Sequence, residues 1–335
     1  MAGQTVGRLD APRTIRIDIA DIPEAGPCDL VIKVAWTGIC GTDLAFFREG
    51  APLAGAILGH EFAGRVVAAG AQVQGVAVGD RVVANPMIDL VGLGRVAGSF
   101  AEYLRLPAAE PGCNVFPLPS TISDEIGALI EPFAVGLHAV NRSRVRADEN
   151  VVIYGAGPIG LCVLASLKAR GVEQVLVVDP SEKRRSIALA MGASATHDPR
   201  TADAPGFVAA HFGSEQLPFA LQPLALADVA FDCAGVAAAI DDAVHSLARR
   251  GRLVLVADPH GVALAALRLV MLRELEILGA LAYDDEFHEA IGLLASGAVD
   301  LLPLVTHRFA LTELDRAFET QMDAENAVKV LVSPP

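Results

Sequence analysis

Hydrophobic positions along the chain follow two rhythms. Up to about Leu30 apolar and polar residues alternate, with Ile15, Ile17 and Ile19 as the clearest run, and Leu30 to Ala35 repeats the alternation. A period of two predicts half-buried antiparallel strands, so the chain opens with a β-rich region. From Val151 the rhythm changes. Val151, Val152 and Ile153 form an unbroken apolar run, and so do Val175 to Val178, as strands buried on both faces of a parallel sheet require. Between them lies an Ala- and Leu-rich segment of helical length that stops at Gly171. Later patterns predict a helix over Lys183 to Met191, a strand over Val229 to Asp232 followed by a helix, and strands over Leu253 to Val256 and Glu274 to Leu281. Tyr283 to Ser296 reads as a helix, and Ser123 to Val140 as a helical connection between the two regions. The stretch from His197 to Ala227, rich in Ala, Pro and Asp, is expected to hold a hydrophobic crossover. The fold class is therefore α/β: a doubly wound parallel sheet plus a β-rich domain.

The turn after the first parallel strand is Gly155-Ala156-Gly157-Pro158-Ile159-Gly160, a G-x-G-x-x-G, and Asp179 ends the next strand. Gly155 allows the tight turn, Gly157 lets the backbone approach a pyrophosphate, and Gly160 lets helix pack on strand. The Asp179 carboxylate can accept hydrogen bonds from a free ribose 2′-hydroxyl and repels a 2′-phosphate, which favours NAD over NADP. Arg184 and Arg185 follow closely; they could receive a phosphate or form a solvated helix turn covering the adenine. Cofactor contacts are expected from Gly155, Gly157, Pro158, Ile159, Gly160, Asp179, Arg184, Val256 and Leu281.

At 335 residues, 53% hydrophobic and 20% charged, the chain is long enough for two cored domains. Its net charge of −14 argues against nucleic acid or an anionic membrane as partner. Every apolar run is broken by Gly, Pro, Arg or Asp, so no membrane span is expected. The N-terminus lacks a signal-peptide layout, and a cytoplasmic location is expected. The five cysteines, Cys28, Cys40, Cys113, Cys162 and Cys233, are dispersed without a C-x-x-C pair and are expected to be reduced thiols. Cys162 and Cys233 read as packing residues.

Cys40 is different, because it lies in a glycine-flanked turn, Gly38 to Asp43, with a hydroxyl and an acid just beyond. Gly59-His60-Glu61 then supplies an imidazole beside a carboxylate. Cysteine, histidine and glutamate form the mixed ligand set of a catalytic zinc with an open position. Neighbouring side chains of a regular strand point to opposite faces, so His60 and Glu61 can share a metal only if Gly59 allows an irregular backbone.

Taken in order, GICGTD, GHEFAG, Val78-Gly79-Asp80-Arg81-Val82, Glu131-Pro132 and GAGPIG resemble the zinc-containing medium-chain dehydrogenase/reductase family, nearest its sorbitol and threonine dehydrogenase branch. The resemblance covers nearly the whole chain. It implies a GroES-like catalytic domain of residues 1–133 completed by 281–335, and a Rossmann NAD-binding domain of residues 134–280. It implies zinc ligation by Cys40 and His60, with Glu61 and Glu131 competing for the third protein position, one directly and the other through water or by exchange. Asp43 would hold the His60 tautomer, and Thr42 would take the alcohol's proton. Two departures stand out. Val83 to Phe100 contains no cysteine, so the family's structural zinc cannot form and one zinc per chain is expected. The histidine that often ends the family's proton relay is replaced by Ala45.

The reaction implied is hydride transfer between NAD and a secondary alcohol or its ketone, the alcohol being a polyol, sugar-derived or a cyclitol. In the polyol branch an Arg-Tyr pair helps hold a polar substrate, where this chain has Ala282-Tyr283; Phe46 and Phe47 either make the pocket less polar or belong to the core. A less polar alcohol, a non-catalytic NAD-binding sensor or scaffold, and a zinc-free enone reductase are the competing readings. His138 is expected to be a packed or capping histidine. Finally, the apolar stretch Gly261 to Leu272 before the last strand of the parallel sheet predicts pairing of exposed edges in a homodimer or homotetramer, unless that stretch is a helix on its own sheet.

Overall fold

The computed structural model describes residues 3–50, 53–216, 223–259 and 267–335. The first part of the chain forms β1 (Gly3–Ala11), β2 (Thr14–Asp21), β3 (Leu30–Gly38), α1 (Gly41–Glu49), β4 (Glu61–Ala69), β5 (Arg81–Ala84), β6 (Tyr103–Leu106) and β7 (Val115–Pro117). Two helices, α2 (Asp124–Gly127) and α3 (Ile130–Ser143), lead into β8 (Val151–Tyr154), α4 (Pro158–Ala169), β9 (Val175–Val178), α5 (Glu182–Ala190), β10 (Ala195–His197) and α6 (Ala204–Phe212). There follow β11 (Ser214–Glu215), β12 (Leu224–Ala225), β13 (Ala227–Asp232), α7 (Ala237–Ser246), β14 (Leu247–Leu255), α8 (Leu267–Arg273) and β15 (Glu276–Gly279). The chain closes with α9 (Glu286–Ala295), β16 (Val305–Ala310), α10 (Leu314–Met322) and β17 (Lys329–Ser333).

Two sheets carry the molecule. One runs β10-β9-β8-β13-β14-β15 with every neighbour parallel, and its order reverses direction between β8 and β13. Ligands bind outside the carboxyl ends of strands at such a switch point. Val151 and Ile153 pack into one hydrophobic cluster, Val152 and Tyr154 into another on the opposite face, which accounts for the unbroken apolar run. Each such side chain contributes up to about 1.5–3 kcal/mol by burial, a reason for the sheet to be covered on both sides. The second sheet runs β16-β17-β3-β4-β5-β7, with β6 also on β3, so the end of the chain returns to the sheet made by its beginning. Its strands pair antiparallel except β16 with β17.

The helical connection is interrupted, and its chemistry explains where. Ser123 caps α2 by accepting the Ile126 N–H, and Pro132, which has no N–H to donate, is tolerated only in the first turn of a helix, so α3 begins at Ile130. The residue 133/134 boundary therefore falls inside one helix. A Cβ on Gly136 would stand 2.7 Å from the Cys162 backbone, which fixes α3 hard against α4. The crossover expected between His197 and Ala227 is supplied by α6, capped by Asp203, with Val208 buried.

Several expectations need correction. β2 pairs antiparallel with β1, but in a two-stranded ribbon, so Ile17 and Ile19 remain 37% and 69% exposed rather than half-buried. The helix expected from Tyr283 starts at Glu286, and the strand expected over Glu274 to Leu281 is confined to Glu276–Gly279 between Glu274 and Ala282, both at positive φ. Of Gly261 to Leu272, the described part from Leu267 is helical; residues 261–266 lie outside the described residues. Arg273, 1% exposed, ends α8 by donating to the carbonyls of Val244 and Leu247. Leu269 packs on the sheet, whereas Leu267 and Met271 of α8 are 62% and 67% exposed and Leu281, just beyond the edge strand β15, is 84% exposed. Phe47 is a core residue, 4.9 Å from Phe318 between ring centres. Among the described residues no helix is long and apolar enough to cross a membrane.

Candidate active site

Two turns at the ends of the catalytic sheet's strands bring the expected ligands together. β3 ends at Gly38, and Cys40 caps α1; β4 begins at Glu61, directly after His60. Gly59 has φ +91, and a Cβ there would lie 2.7 Å from Ser99 Oγ. The backbone is thus irregular where His60 and Glu61 needed it to be. Ligand atoms of Cys40, His60 and Glu61 all lie within 4.8 Å of one another. Asp43, wholly buried, ties the two turns: Cys40 N–H donates to its Oδ2 at 2.9 Å and Gly59 N–H to its Oδ1 at 3.3 Å. The same Oδ1 stands 3.5 Å from His60 Nδ1, which has no closer partner. Burial opposes protonation of His60, but its neighbours Asp43 and Cys40 outweigh it and lift the imidazole well above its ordinary value.

Glu131 reaches the same region from the first turn of α3. Burial pushes its carboxyl up to about 7; the Glu61 charge adds to the shift, while His60, Tyr283 and Lys329 oppose it. Tyr283 is also buried, its hydroxyl raised by burial and by Glu131 and without a close hydrogen-bond partner among the described residues. Thr42 is exposed in the first turn of α1, and Ala45 is partly buried one turn further on. His138 is apart from this cluster: its Nδ1 pairs with Glu286 at 2.9 Å, a packed histidine.

Sequence reasoning overlooked Lys329. It opens β17, is 1% exposed, and its Nζ lies 2.8 and 2.6 Å from the two Glu61 oxygens. The signal was present as a single cation inside the apolar run Ala327 to Val332. Gly38 was overlooked too: a Cβ there would meet Glu61 Oε2 at 2.2 Å, so this glycine makes room for the carboxylate.

The glycine loop sits at the switch point of the parallel sheet. Gly155 has φ +97, and a Cβ on Gly160 would stand 1.9 Å from Gly155 O, so both positions exclude a side chain. Beside Gly157 nothing but Arg184 Nη1, at 3.8 Å, lies within 4 Å of where a Cβ would be. Pro158 and Ile159 start α4, whose N-terminal N–H groups are the natural seat of a pyrophosphate. Asp179 is buried and braces the loop, accepting Ala156 N–H at 2.7 Å and Ser181 N–H at 2.8 Å. Each oxygen keeps a lone pair for a ribose hydroxyl. Arg184 donates to Ala327 O at 2.8 Å, Arg185 to Asp179 O at 2.7 Å, and neither is a merely solvated side chain. Val256 is partly buried at the end of β14, and Leu281 is exposed beyond β15.

The donor set fits zinc. A partly buried thiol, a buried imidazole and a buried carboxylate converge, the sulfur, nitrogen and oxygen combination that zinc accepts. The open face at Gly157 and the N-terminus of α4 likewise fit a dinucleotide.

Residues 26–120 match the family model of the alcohol dehydrogenase GroES-like domain, and residues 158–296 that of zinc-binding dehydrogenases. The chain is 31% identical to sorbitol dehydrogenase of Arabidopsis thaliana, over 95% of this chain and 92% of that protein. Its fold superposes on 2R,3R-butanediol dehydrogenase from Bacillus subtilis with a TM-score of 0.86 and 30% identity, covering 99% of this chain and 100% of that one. A protein of Sinorhizobium meliloti 1021 described as a zinc-binding dehydrogenase, solved bound to NADP, gives a TM-score of 0.85 at 31% identity over the full length of both chains.

Gly160→Ala is expected to weaken NADH binding by at least about tenfold and to cost about 1–3 kcal/mol of stability, because the new methyl drives α4 off the loop. Fluorescence titration and denaturant unfolding measure the two; unchanged NADH affinity would contradict the packing role given to this glycine.

Proposed function

The chain belongs to the zinc-containing medium-chain dehydrogenase/reductase family, and we propose that Cys40, His60 and a neighbouring glutamate hold its one catalytic zinc. It is an oxidoreductase that transfers hydride between NAD and an alcohol or its carbonyl product. The observation that carries the site assignment is the convergence of Cys40, His60 and Glu61 from two turns onto one buried point. When bound, the zinc makes the alcohol hydroxyl acidic and the nicotinamide accepts the hydride. Thr42 takes the hydroxyl proton and passes it towards the nicotinamide ribose, and with Ala45 in place of a relay histidine the relay ends in water or another group. Asp43 holds His60 in the tautomer that leaves Nε2 free to ligate. Residues 134–280 form the NAD-binding unit in this reading, and 1–133 with 281–335 the catalytic one.

Polyol, sugar-derived and cyclitol secondary alcohols are the proposed substrates, a reading supported by the sorbitol and butanediol dehydrogenase relatives. Ala282, in place of an arginine, and partly buried Phe46 favour a less polar alcohol as the second reading. A cytoplasmic location agrees with all five cysteines being unpaired. The chain is further proposed to form at least a homodimer through the edge strand β15, where Ile277 and Leu281 present apolar surface next to unpaired backbone groups.

Elemental analysis should find one zinc per chain, and a panel of polyols, cyclitols and aromatic alcohols should yield NAD reduction. Cys40→Ser should lose the zinc and lower turnover by at least about 100-fold while NADH still binds. A zinc-free active enzyme, or two tightly held zincs, would contradict the assignment. NAD should be preferred over NADP by at least about tenfold, and Asp179→Ala should narrow that gap. Preference of the wild type for NADP would count against Asp179 as the ribose acceptor. Light scattering should return a dimer or tetramer at micromolar concentration, with Leu281→Asp shifting it towards monomer; a wild-type monomer would refute the edge pairing.

A further inference from the structure

A histidine ligand is aimed by the backbone that carries it unless its ring is held by a close hydrogen bond. His60 has no such hold, since the nearest partner of its Nδ1 is Asp43 at 3.5 Å. Gly59, immediately before it, has φ +91, a conformation that glycine enters and leaves at little cost. Two rigid peptide planes meet at this glycine, and only its φ and ψ are soft. The N–H of Gly59 belongs to the plane on the Leu58 side and is held by Asp43 Oδ1. Its carbonyl belongs to the plane shared with His60 and accepts the Ser99 N–H at 2.9 Å. With both planes tied, the direction in which the His60 side chain leaves the backbone is set.

Ser99 comes from the cysteine-free segment Val83 to Phe100, whose end closes on the Gly59 turn. The N–H groups of Gly98 and Phe100 donate to the carbonyls of Ile57 and Leu58, at 2.9 and 3.0 Å. Gly92 and Gly98 lie against the Gly59 carbonyl, so close that a Cβ on either would fall on its oxygen. Ser99 Oγ shares a hydrogen bond of 2.6 Å with Thr37 Oγ1, both residues wholly buried, and Thr37 stands on β3, the strand that leads into Cys40. The two ligand turns are thus tied twice, by Asp43 and by the Thr37–Ser99 pair. Building on the zinc reading above, we propose that Gly98 and Ser99 are positioning residues of the metal site, forming a clasp that holds the Gly59–His60 peptide and presets the imidazole for the metal. Both act through the Gly59 peptide.

The test compares two glycines of one sheet region that crowd a carbonyl alike. A methyl at Gly98 pushes on the Gly59 carbonyl, whereas a methyl at Gly70 pushes on the carbonyls of Gly26 and Pro27, at the end of β4 opposite to Glu61. Neither glycine has a positive φ, so each substitution acts by displacement alone. In the full-length enzyme loaded with cobalt(II), the Cys40 thiolate-to-cobalt band reports that the site is filled and the d–d bands report its geometry. Gly98→Ala should shift the d–d bands and lower zinc affinity, measured by chelator competition, at least about tenfold while NADH still binds. Gly70→Ala should lower the midpoint of unfolding yet keep the wild-type spectrum and a zinc affinity within about threefold of wild type. Equal losses of zinc affinity in the two variants, or none in Gly98→Ala, would overturn the proposal. Hydrogen exchange on the wild type decides the matter if Gly98→Ala does not fold: the amides of Gly98, Ser99 and Phe100 should exchange at rates within about threefold of each other with zinc bound and with zinc removed. Protection that appears only when zinc is bound would overturn the clasp. A wild-type protein that shows no thiolate-to-cobalt band would overturn the zinc reading itself, and this proposal with it.

Discussion

Buried negative charge is the constraint on which the rest of the structure turns. Asp43, Glu61 and Glu131, all at most 9% exposed, lie near Cys40 and His60, and the Lys329 ammonium is paired with one of them, Glu61. Carboxylates taken out of water must be paired, protonated or metal-bound. Each solution has its counterpart here: Lys329 pairs Glu61, the Glu131 carboxyl is pushed up to about 7 by burial, and the thiol, imidazole and carboxylate of Cys40, His60 and Glu61 converge to within 4.8 Å, as a metal would need. Asp43 contributes differently, spending its oxygens on the two turns and on His60, so its charge organises the ligands without being one of them.

The same few residues join this cluster to the nucleotide loop. α3 offers Glu131 from its first turn and presses Gly136 against Cys162 of α4, the helix that the glycine loop opens. On the other side Arg184 and Ser181, next to Asp179, bond to the carbonyls of Ala327 and Glu325, and two residues beyond Ala327 stands Lys329. Asp179 and the Cys40, His60 and Glu61 cluster are therefore connected by short stretches of backbone. That architecture suits a reaction in which a hydride must cross between groups held by different domains.

Much of this was legible in the sequence because it depends on local rules. The glycine loop, its helix and Asp179 occupy one βαβ unit, where periodicity and turn chemistry are sufficient. Gly59 was legible for a similar reason: two adjacent ligands cannot share a metal from a regular strand. What sequence reasoning missed depends on long-range pairing. Lys329 meets Glu61 across 268 positions through the pairing of β17 with β3, and the apolar run AVKVLV that marks the lysine as buried does not say which carboxylate it meets. The exposure of Ile17 and Ile19 likewise follows from β2 having a single partner strand, and the helical state of Leu267 to Leu272 from Arg273 anchoring it on α7. Apolar rhythm assigns a face, but the partner of that face is a property of the whole fold.

The central claim is that one zinc, held by Cys40 and His60 with a glutamate, is the metal centre of this enzyme. Anomalous diffraction collected on either side of the zinc absorption edge tests it directly. The account predicts a single strong peak per chain, within bonding distance of Cys40 Sγ and the His60 imidazole. A strongest peak elsewhere in the molecule, or a second peak of equal height, would contradict it.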